Sequence, residues 1–500
     1  MSDKKGLARN SLGAIESVIM GIAGSAPAFS VAAGTATLVT AVGVLSVGSL
    51  FYCGFVMFGI MLAYIHLSTI APNAGAAYAW VGHVFGRTLG FFTGWGLLTA
   101  SIIFMVSATI PAATSTLSLI SPELAKNTTW VTATAAIWLT LVTIVVAKGI
   151  KHSSYTQMTL TGLETAVVFA LIIAAFVRYG GKPVHVPSLA WVSPSSFTPE
   201  LFAAGALNAL FLYWGWDVTM NLTEETKEGR QAGALSPASK GAFWAMASLI
   251  LFYCIIMLVV LIVLSDAEIK DADTGVLAAI ADKLFPRPWG YLAVLATVLS
   301  TIGTIETQLL QFSRSMFAMA RDDMLHPRYA KIHAEWQTPW VATLVIWGLG
   351  VLQLFVWSFM NMNSVNEILA VNNSAIDFQI CFYMSLAGFA CAWHYRDKLK
   401  TGAYSAVSFV LWPLIAALFM VFIAIYSIPT FPVITDVIGI GGIVIGIVPL
   451  CLSGLRRARK ARGGQGNGKL GVASQEQGVG NGELGTGRSE LISSEEGAGP

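Results

Sequence analysis

Twelve apolar stretches, each close to the length that crosses a lipid bilayer, constrain this chain more than any other feature. A transmembrane helix needs about 20 mostly apolar residues. Such stretches occupy residues 12–38, 42–66, 88–118, 129–149, 153–177, 200–222, 238–264, 288–313, 339–358, 364–391, 404–428 and 433–455. Charged residues make up 11% of the chain, against roughly 25% in an average soluble domain. Because so few charges cannot cover a water-facing surface, we predict an all-α, polytopic membrane protein.

Lysine and arginine are distributed unevenly over the predicted loops. With the N-terminus inside, the cytoplasmic side carries 21 of them and the outer side carries 6. Since cytoplasmic loops are enriched in positive charge, both termini are predicted to be cytoplasmic, and the membrane is predicted to be a plasma or inner membrane. Residues 1–10 would form a cytoplasmic segment, 11–455 the transmembrane core, and 456–500 a Gly-, Ser- and Glu-rich tail that is predicted to be disordered.

Two predicted spans contain residues that interrupt a helix near the middle of the membrane. The first contains Gly21-Ile-Ala-Gly24-Ser25-Ala26-Pro27, and the sixth contains Phe211-Leu-Tyr213-Trp214-Gly215-Trp216-Asp217. Backbone groups freed at that depth are tolerated only against protein or a water-filled cavity. Broken helices in matching positions of two halves indicate a transporter binding site, and the five-span spacing predicts two repeats of five helices with two helices appended. Ordinary kinks in a helical bundle are the alternative.

Further motifs occur in a fixed order along the chain. After the first break come Pro72-Asn-Ala-Gly75-Ala-Ala-Tyr78, Phe85-Gly86 and Gly90-Phe-Phe-Thr-Gly94-Trp95, then Glu224-Glu225-Thr226 behind the second break, and Ser313-Arg314-Ser-Met-Phe-Ala-Met-Ala320-Arg321-Asp322. Together with the breaks, these motifs resemble the amino acid–polyamine–organocation transporters over roughly residues 10–455. The resemblance implies a LeuT-like inverted-repeat fold, and a secondary carrier that moves an amino acid or an organic amine by alternating access.

The resemblance also implies a substrate site between the two breaks. In such carriers the substrate carboxylate binds backbone amides at the first break, which nominates Gly24, Ser25 and Ala26; helix N-termini favour anions for the same reason. The residues that would line or gate the pocket are Phe211, Trp214, Gly215 and Trp216. An aromatic ring there could face an amine, a contact of roughly 0.5–2 kcal/mol. Packing in the core or against lipid is the alternative for each ring.

Five carboxyl residues fall within predicted spans, namely Glu16, Glu164, Asp217, Glu306 and Asp377. A charged carboxylate at a helix centre costs on the order of 3 kcal/mol, so these residues are candidates for function. The resemblance assigns Asp217 to gating and Glu164 to the coupling position, where proton-coupled relatives often carry lysine. Glutamate there could hold a proton, bind sodium, pair with an amine, or make a structural hydrogen bond between helices.

The acidic spans favour a cationic or zwitterionic substrate, so an amine is an alternative to a neutral amino acid. The sequence offers no catalytic nucleophile with a base and no metal-ligand spacing. It also has no phosphate-binding loop and no basic stripe for nucleic acid. We therefore predict no enzyme activity, metal, cofactor or nucleic-acid partner, with a coupling proton or sodium left open. An exchanger of the same fold and a non-transporting sensor or channel remain alternatives.

Overall fold

The computed structural model describes residues 6–227, 235–272, 275–286, 288–359 and 365–459, and these form an assembly of helices. The α-helices are α1 (Ala14–Ser25), α2 (Pro27–Val42), α3 (Ser46–Ser68), α4 (Ala77–Phe85), α5 (Arg87–Ser118), α6 (Pro122–Lys126), α7 (Thr128–Ala147), α8 (Ile150–Tyr179), α9 (Pro199–Tyr213), α10 (Val218–Asn221), α11 (Pro237–Val263), α12 (Asp266–Ala272), α13 (Val276–Leu284), α14 (Tyr291–Arg321), α15 (Trp340–Phe359), α16 (Val365–His394), α17 (Ala403–Ala406), α18 (Trp412–Ser427) and α19 (Val433–Val444). The tail from residue 460 onward lies outside the described residues.

Ten helical stretches in the described ranges are long and apolar enough to cross a membrane. The first stretch, Ala14–Ser68, contains two of the predicted spans. The sixth predicted span corresponds to α9 and α10, which have 15 and 4 residues and are each too short to cross alone. The other nine stretches match the remaining predicted spans. The all-helical, polytopic membrane fold is therefore confirmed.

Several helices expose large apolar side chains on the outside of the molecule. Ile137 on α7, Phe169 on α8 and Leu352 on α15 are each more than half exposed, as is Phe422 on α18. Apolar surface this extensive is unusual on a water-facing monomer. It is expected where helices face lipid, since the lipid chains are as apolar as these side chains.

α14 is largely enclosed, because α1, α2, α5, α8 and α15 all pack around it. The predicted span ends at residue 313, and the prediction counts Arg314 among the basic residues of the cytoplasmic loop that follows. That boundary is wrong, because α14 continues for about two more turns, to Arg321. Arg314 therefore lies within the helix, with a completely buried side chain. A compensating carboxylate, described below, makes this burial tolerable.

Candidate functional site

The first predicted break separates α1 from α2. Ala26 joins the two helices with a φ of 44°, in the left-handed region that residues with a Cβ atom seldom adopt. Pro27 then occupies the first position of α2, where its missing N–H is tolerated and its fixed φ suits a helix start. The residues that predicted an interruption therefore produce one at the expected place.

The second predicted break separates α9 from α10. α9 ends at Tyr213, and Trp214 has an extended backbone. Gly215 follows with a φ of 110°, which favours glycine because a Cβ atom would be strained there. The helix resumes at Val218, so four residues at mid-span are non-helical.

The two breaks lie directly against each other. A Cβ atom added to Gly24 would overlap the carbonyl oxygen of Gly215, and one added to Gly215 would overlap the carbonyl oxygen of Gly24. Ser25 extends this contact, since its hydroxyl donates to the carbonyl of Tyr213 at 3.2 Å. The structure thus brings Gly24, Ser25 and Gly215 together, although the two breaks are far apart in the sequence.

One face of α14 presents polar side chains toward both breaks, and its members are Ser300, Thr304, Gln308, Gln311 and Ser315. Thr304 and Gln308 donate to the carbonyl of Gly24 at 2.8 and 3.3 Å. Gln311 donates to the carboxylate of Asp217 at 2.8 Å. This polar face was not among the residues predicted to form the site. Its signal was a spacing of three or four residues, which places side chains on one side of a helix.

Glu164 contacts the start of α2. Its Oε1 atom accepts hydrogen bonds from the amide of Ala28 at 2.8 Å and from the hydroxyl of Ser300 at 2.7 Å. The Ser300 hydroxyl in turn accepts from the amide of Phe29 at 3.1 Å. A carboxylate is favoured at a helix N-terminus, where the unpaired N–H groups and the helix dipole are positive. Glu164 therefore joins α8, α14 and the second half of the broken first span.

The backbone groups at the first break are hydrogen-bonded within the protein. The Ser25 carbonyl accepts from the hydroxyls of Ser30 and Tyr253, at 2.7 and 3.1 Å. The amide of Ala26 donates to the carbonyls of Ile22 and Ala23 within the last turn of α1. The Gly24 and Ser25 carbonyls each accept two hydrogen bonds, so in this conformation they are satisfied by side chains of the protein. The assignment of Gly24, Ser25 and Ala26 to a carboxylate stays a prediction.

The aromatic residues around the second break divide into two groups. Trp214 lies 6.5 Å from Phe211 and 5.1 Å from Phe104, measured between ring centroids. Trp216 packs instead against Tyr64 at 5.4 Å and is fully buried. Phe211 and Trp214 thus belong to one cluster, and Trp216 belongs to another.

Asp217 is buried beside the Trp214 cluster. The indole N–H of Trp214 donates to the hydroxyl oxygen of Tyr383 at 2.6 Å, and that hydroxyl donates to Asp217 at 3.0 Å. Gln311 supplies the second donor to the same carboxylate oxygen. Asp217 therefore links α14, α16 and the second break through hydrogen bonds, and its assignment to gating stays a prediction.

Two of the five carboxyl candidates make ordinary structural contacts. Glu16 accepts the amide of Gly13 at 3.0 Å and so caps the start of α1. Glu306 on α14 accepts from the side chain of Gln157 on α8 at 2.8 Å. Glu16 thus bonds at the start of its own helix, and Glu306 bonds between two helices.

A cavity of 360 Å³ opens beside α2 and α9, and we call it the vestibule. Its lining residues are Ala33, Thr37, Glu200, Ala203, Ala204, Leu207, Asn208, Phe211, Asn373, Ser374, Asp377, Tyr426, Ser427, Thr430 and Phe431. Phe211 connects it to the second break, since its carbonyl accepts the amide of Trp214 at 2.9 Å. Of the residues predicted to form the site, Phe211 therefore faces open space.

Two arginine–glutamate pairs lie at the opposite end of the broken helices, which we call the ion-pair end. Arg314 holds Glu225 through two hydrogen bonds of 2.9 and 3.1 Å, and both side chains are completely buried. Arg321 holds Glu224 in the same two-pronged way at 3.0 and 2.9 Å, nearer the surface. Planar, two-pronged pairs of this type combine strength with a defined orientation.

The other sequence motifs also meet at the ion-pair end. The amide of Ala74 donates to Glu224 at 2.8 Å, and the hydroxyl of Tyr78 donates to Asp322 at 3.0 Å. The carbonyl of Glu225 accepts the amides of Ser11 and Leu12, which tie the segment before α1 to this end. Residues separated by as many as 244 positions in the sequence, Tyr78 and Asp322, thus meet at one end of the molecule.

Comparisons with known proteins identify the family to which this helical architecture belongs. The model of the family described as "Amino acid permease" matches residues 12–448, so the chain belongs to that family. It is 25% identical over 412 residues to the serine/threonine exchanger SteT of Bacillus subtilis, covering 80% of this chain and 86% of that protein. The expectation of a transporter rather than an enzyme is therefore confirmed.

Other relatives in the family differ in what their names say they carry. The methylthioribose transporter of Bacillus subtilis is 23% identical over 404 residues, with 75% of this chain and 80% of that protein covered. The large neutral amino acids transporter small subunit 2 of Mus musculus is 25% identical over 397 residues, with 77% and 70% covered. The family is shown by the model match, and relatives that carry different substrates leave the substrate to the site itself.

Proposed function

We propose that this permease carries an amino acid or a related organic amine across the cell membrane by alternating access. The substrate binds between the two breaks. The observation that carries this proposal is the direct contact of the breaks at Gly24 and Gly215, with the polar face of α14 alongside. The carbonyls of Gly24 and Ser25 are bonded there to side chains that a polar ligand would replace, inside a membrane that offers such a ligand few other partners.

Each end of the substrate would have a matching set of groups. An ammonium group would bind the carbonyls of Gly24 and Ser25 in place of the protein side chains that donate to them in this conformation, and the rings of Phe211 and Trp214 offer further stabilisation of a cation. A carboxylate would bind the amides of Gly24, Ser25 and Ala26 after a shift of the break that frees them. Gly215 permits close approach, and Trp216 would act as a gate.

The two ends of the molecule support a conformation that is open at the vestibule and closed at the ion-pair end. Since lysine and arginine are concentrated on the N-terminal side, we assign the ion-pair end to the cytoplasm and the vestibule to the outside. A reporter active only in the cytoplasm should be active when fused after Arg462 and silent when inserted near Asp271. The reverse pattern would contradict the orientation.

Glu164 is proposed to couple an ion to the first break. Its hydrogen bonds to Ala28 and Ser300 hold the start of α2, so a proton or sodium ion bound there would alter the break directly. Glu164→Gln keeps the shape and the acceptor oxygen but removes the charge. We expect this variant to lose accumulation driven by a proton or sodium gradient while retaining exchange, as measured by uptake into proteoliposomes with imposed gradients.

The matched control is Glu306→Gln, which changes a second buried glutamate between α8 and α14. It should keep gradient-driven accumulation, because Glu306 does not bond to the start of α2. If Glu164→Gln accumulates substrate like the wild type under every gradient, Glu164 is a structural residue and the coupling proposal is wrong.

Obligatory exchange is the second candidate, and the likeness to the SteT exchanger favours it. Both candidates predict counterflow, in which unlabelled substrate inside proteoliposomes drives entry of labelled substrate. Empty proteoliposomes separate them, since an exchanger takes up almost nothing without internal substrate. A channel or a sensor would show no counterflow at all, and that result would contradict the proposed function.

A further inference from the structure

Asp377 on α16 is a vestibule residue that lacks a complete set of partners. Only 7% of the residue is exposed, and its Oδ1 atom has no hydrogen-bond partner among the described residues. A buried acceptor left without a partner costs roughly 1–3 kcal/mol, and more when it is charged. At the wall of a cavity, this oxygen is available to a group that enters the cavity.

The surroundings of Asp377 favour a cation as that missing partner. The described lining contains two carboxylates, Asp377 and Glu200, and neither lysine nor arginine. The other polar lining groups are amides and hydroxyls, and Phe211, Tyr426 and Phe431 contribute rings. A cleft with charges of one sign and apolar walls concentrates ions of the opposite sign.

The vestibule also shares one residue, Phe211, with the proposed substrate site. Phe211 lines the same cavity, and its carbonyl bonds to the amide of Trp214 at the second break. A substrate held at the breaks by its α-amino and carboxylate groups would extend its side chain past Phe211 into the vestibule. Asp377 would then face the far end of that side chain.

We propose that Asp377 binds a cationic amino group at the far end of the substrate, so that the permease prefers basic amino acids to neutral ones of equal length. This inference rests on the proposed function and names its substrate class. Glu200 at the same cavity adds to the attraction without replacing the buried carboxylate. Because the vestibule is on the outer side, the preference applies to substrate that enters from there.

L-Lysine and L-norleucine form a matched pair of probes, since they share a straight four-carbon side chain and differ in the terminal ammonium group. We expect wild-type protein in proteoliposomes to take up lysine with a KM at least about 10-fold lower than that for norleucine. Asp377→Asn should raise the KM for lysine by about 10- to 100-fold, as expected for loss of a hydrogen bond to a charged group. The KM for norleucine should stay unchanged, which also shows that the variant is folded.

Two further variants separate a local charge from a general effect. Asp377→Glu keeps the carboxylate and should preserve the preference for lysine. Glu123→Gln removes an exposed carboxylate on α6, outside the vestibule lining, and should preserve it as well. Equal loss of lysine and norleucine uptake in Asp377→Asn would overturn the proposal, as would an unchanged ratio of the two KM values.

The wild-type results also show separately whether the proposed preference for lysine fails or the proposed transport of amino acids fails. If norleucine is carried as well as lysine or better, the substrate class is wrong while the proposed transport of amino acids stands. If other neutral amino acids are carried but neither lysine nor norleucine is, the substrate class is likewise wrong and amino acid transport likewise stands. If the protein exchanges no amino acid or amine of any charge, the proposed function itself fails.

Discussion

Gly215→Ala is expected to abolish substrate exchange while leaving the protein inserted in the membrane. The alanine Cβ would overlap the carbonyl of Gly24 and lie 2.7 Å from the Nε2 atom of Gln308. The φ of 110° at this position adds backbone strain for any residue with a Cβ atom. Strain and overlap together cost about 2 to 5 kcal/mol at the one place where the breaks meet. The measurement is the initial rate of counterflow, normalised to the amount of purified protein.

Gly348→Ala is the matched control for this variant. Gly348 lies in the long helix α15, and a Cβ atom added there has nothing within 4 Å. It should exchange substrate at the wild-type rate. If Gly215→Ala also did so, the contact between the two breaks would not be part of the transport site.

Arg314→Met is expected to lower the stability of the protein more than other substitutions at the ion-pair end. It leaves the carboxylate of Glu225 buried without its partner, and breaking a buried pair in this way typically costs 3–5 kcal/mol. The midpoint of thermal unfolding of the purified protein in detergent should fall clearly. Adding Glu225→Gln to Arg314→Met should recover part of the loss, because the uncompensated charge is then gone.

Arg321→Met tests the same type of pair nearer the surface. Its side chain is 36% exposed and that of Glu224 is 22% exposed, so water screens the lost interaction. We expect a loss of less than about 1 kcal/mol. A drop in the unfolding midpoint as large as that of Arg314→Met, or no drop for Arg314→Met, would contradict the assigned importance of the buried pair.

The fold and the two breaks were predictable because each leaves a local mark in the sequence. Apolar length marks a span, and Gly24, Pro27 and Gly215 mark places where a helix cannot continue. The polar face of α14 also has a sequence signal, the spacing of Ser300, Thr304 and Gln308. Serine and threonine are common in membrane helices, so this spacing alone does not identify a site. Its meaning depends on which helices lie opposite.

The contacts of charged residues were not predictable in the same way. Arg314 ended an apolar stretch and so resembled a loop residue, whereas its burial depends on Glu225, which lies on a different helix segment. Glu164 stood out as a lone carboxylate, but its bonds to Ala28 and Ser300 arise from the packing of α2, α8 and α14. The partner of a buried polar group is determined by tertiary structure, and local sequence patterns do not identify it.

The central claim is that the two breaks form the substrate site of a carrier, and counterflow in proteoliposomes tests it most directly. Vesicles loaded with unlabelled amino acid and diluted into trace labelled amino acid should show a transient accumulation of label above equilibrium. We predict this overshoot for the wild type and for Gly348→Ala, and its absence for Gly215→Ala. No overshoot from the wild type with any amino acid or amine would contradict the account, as would an equal overshoot from Gly215→Ala.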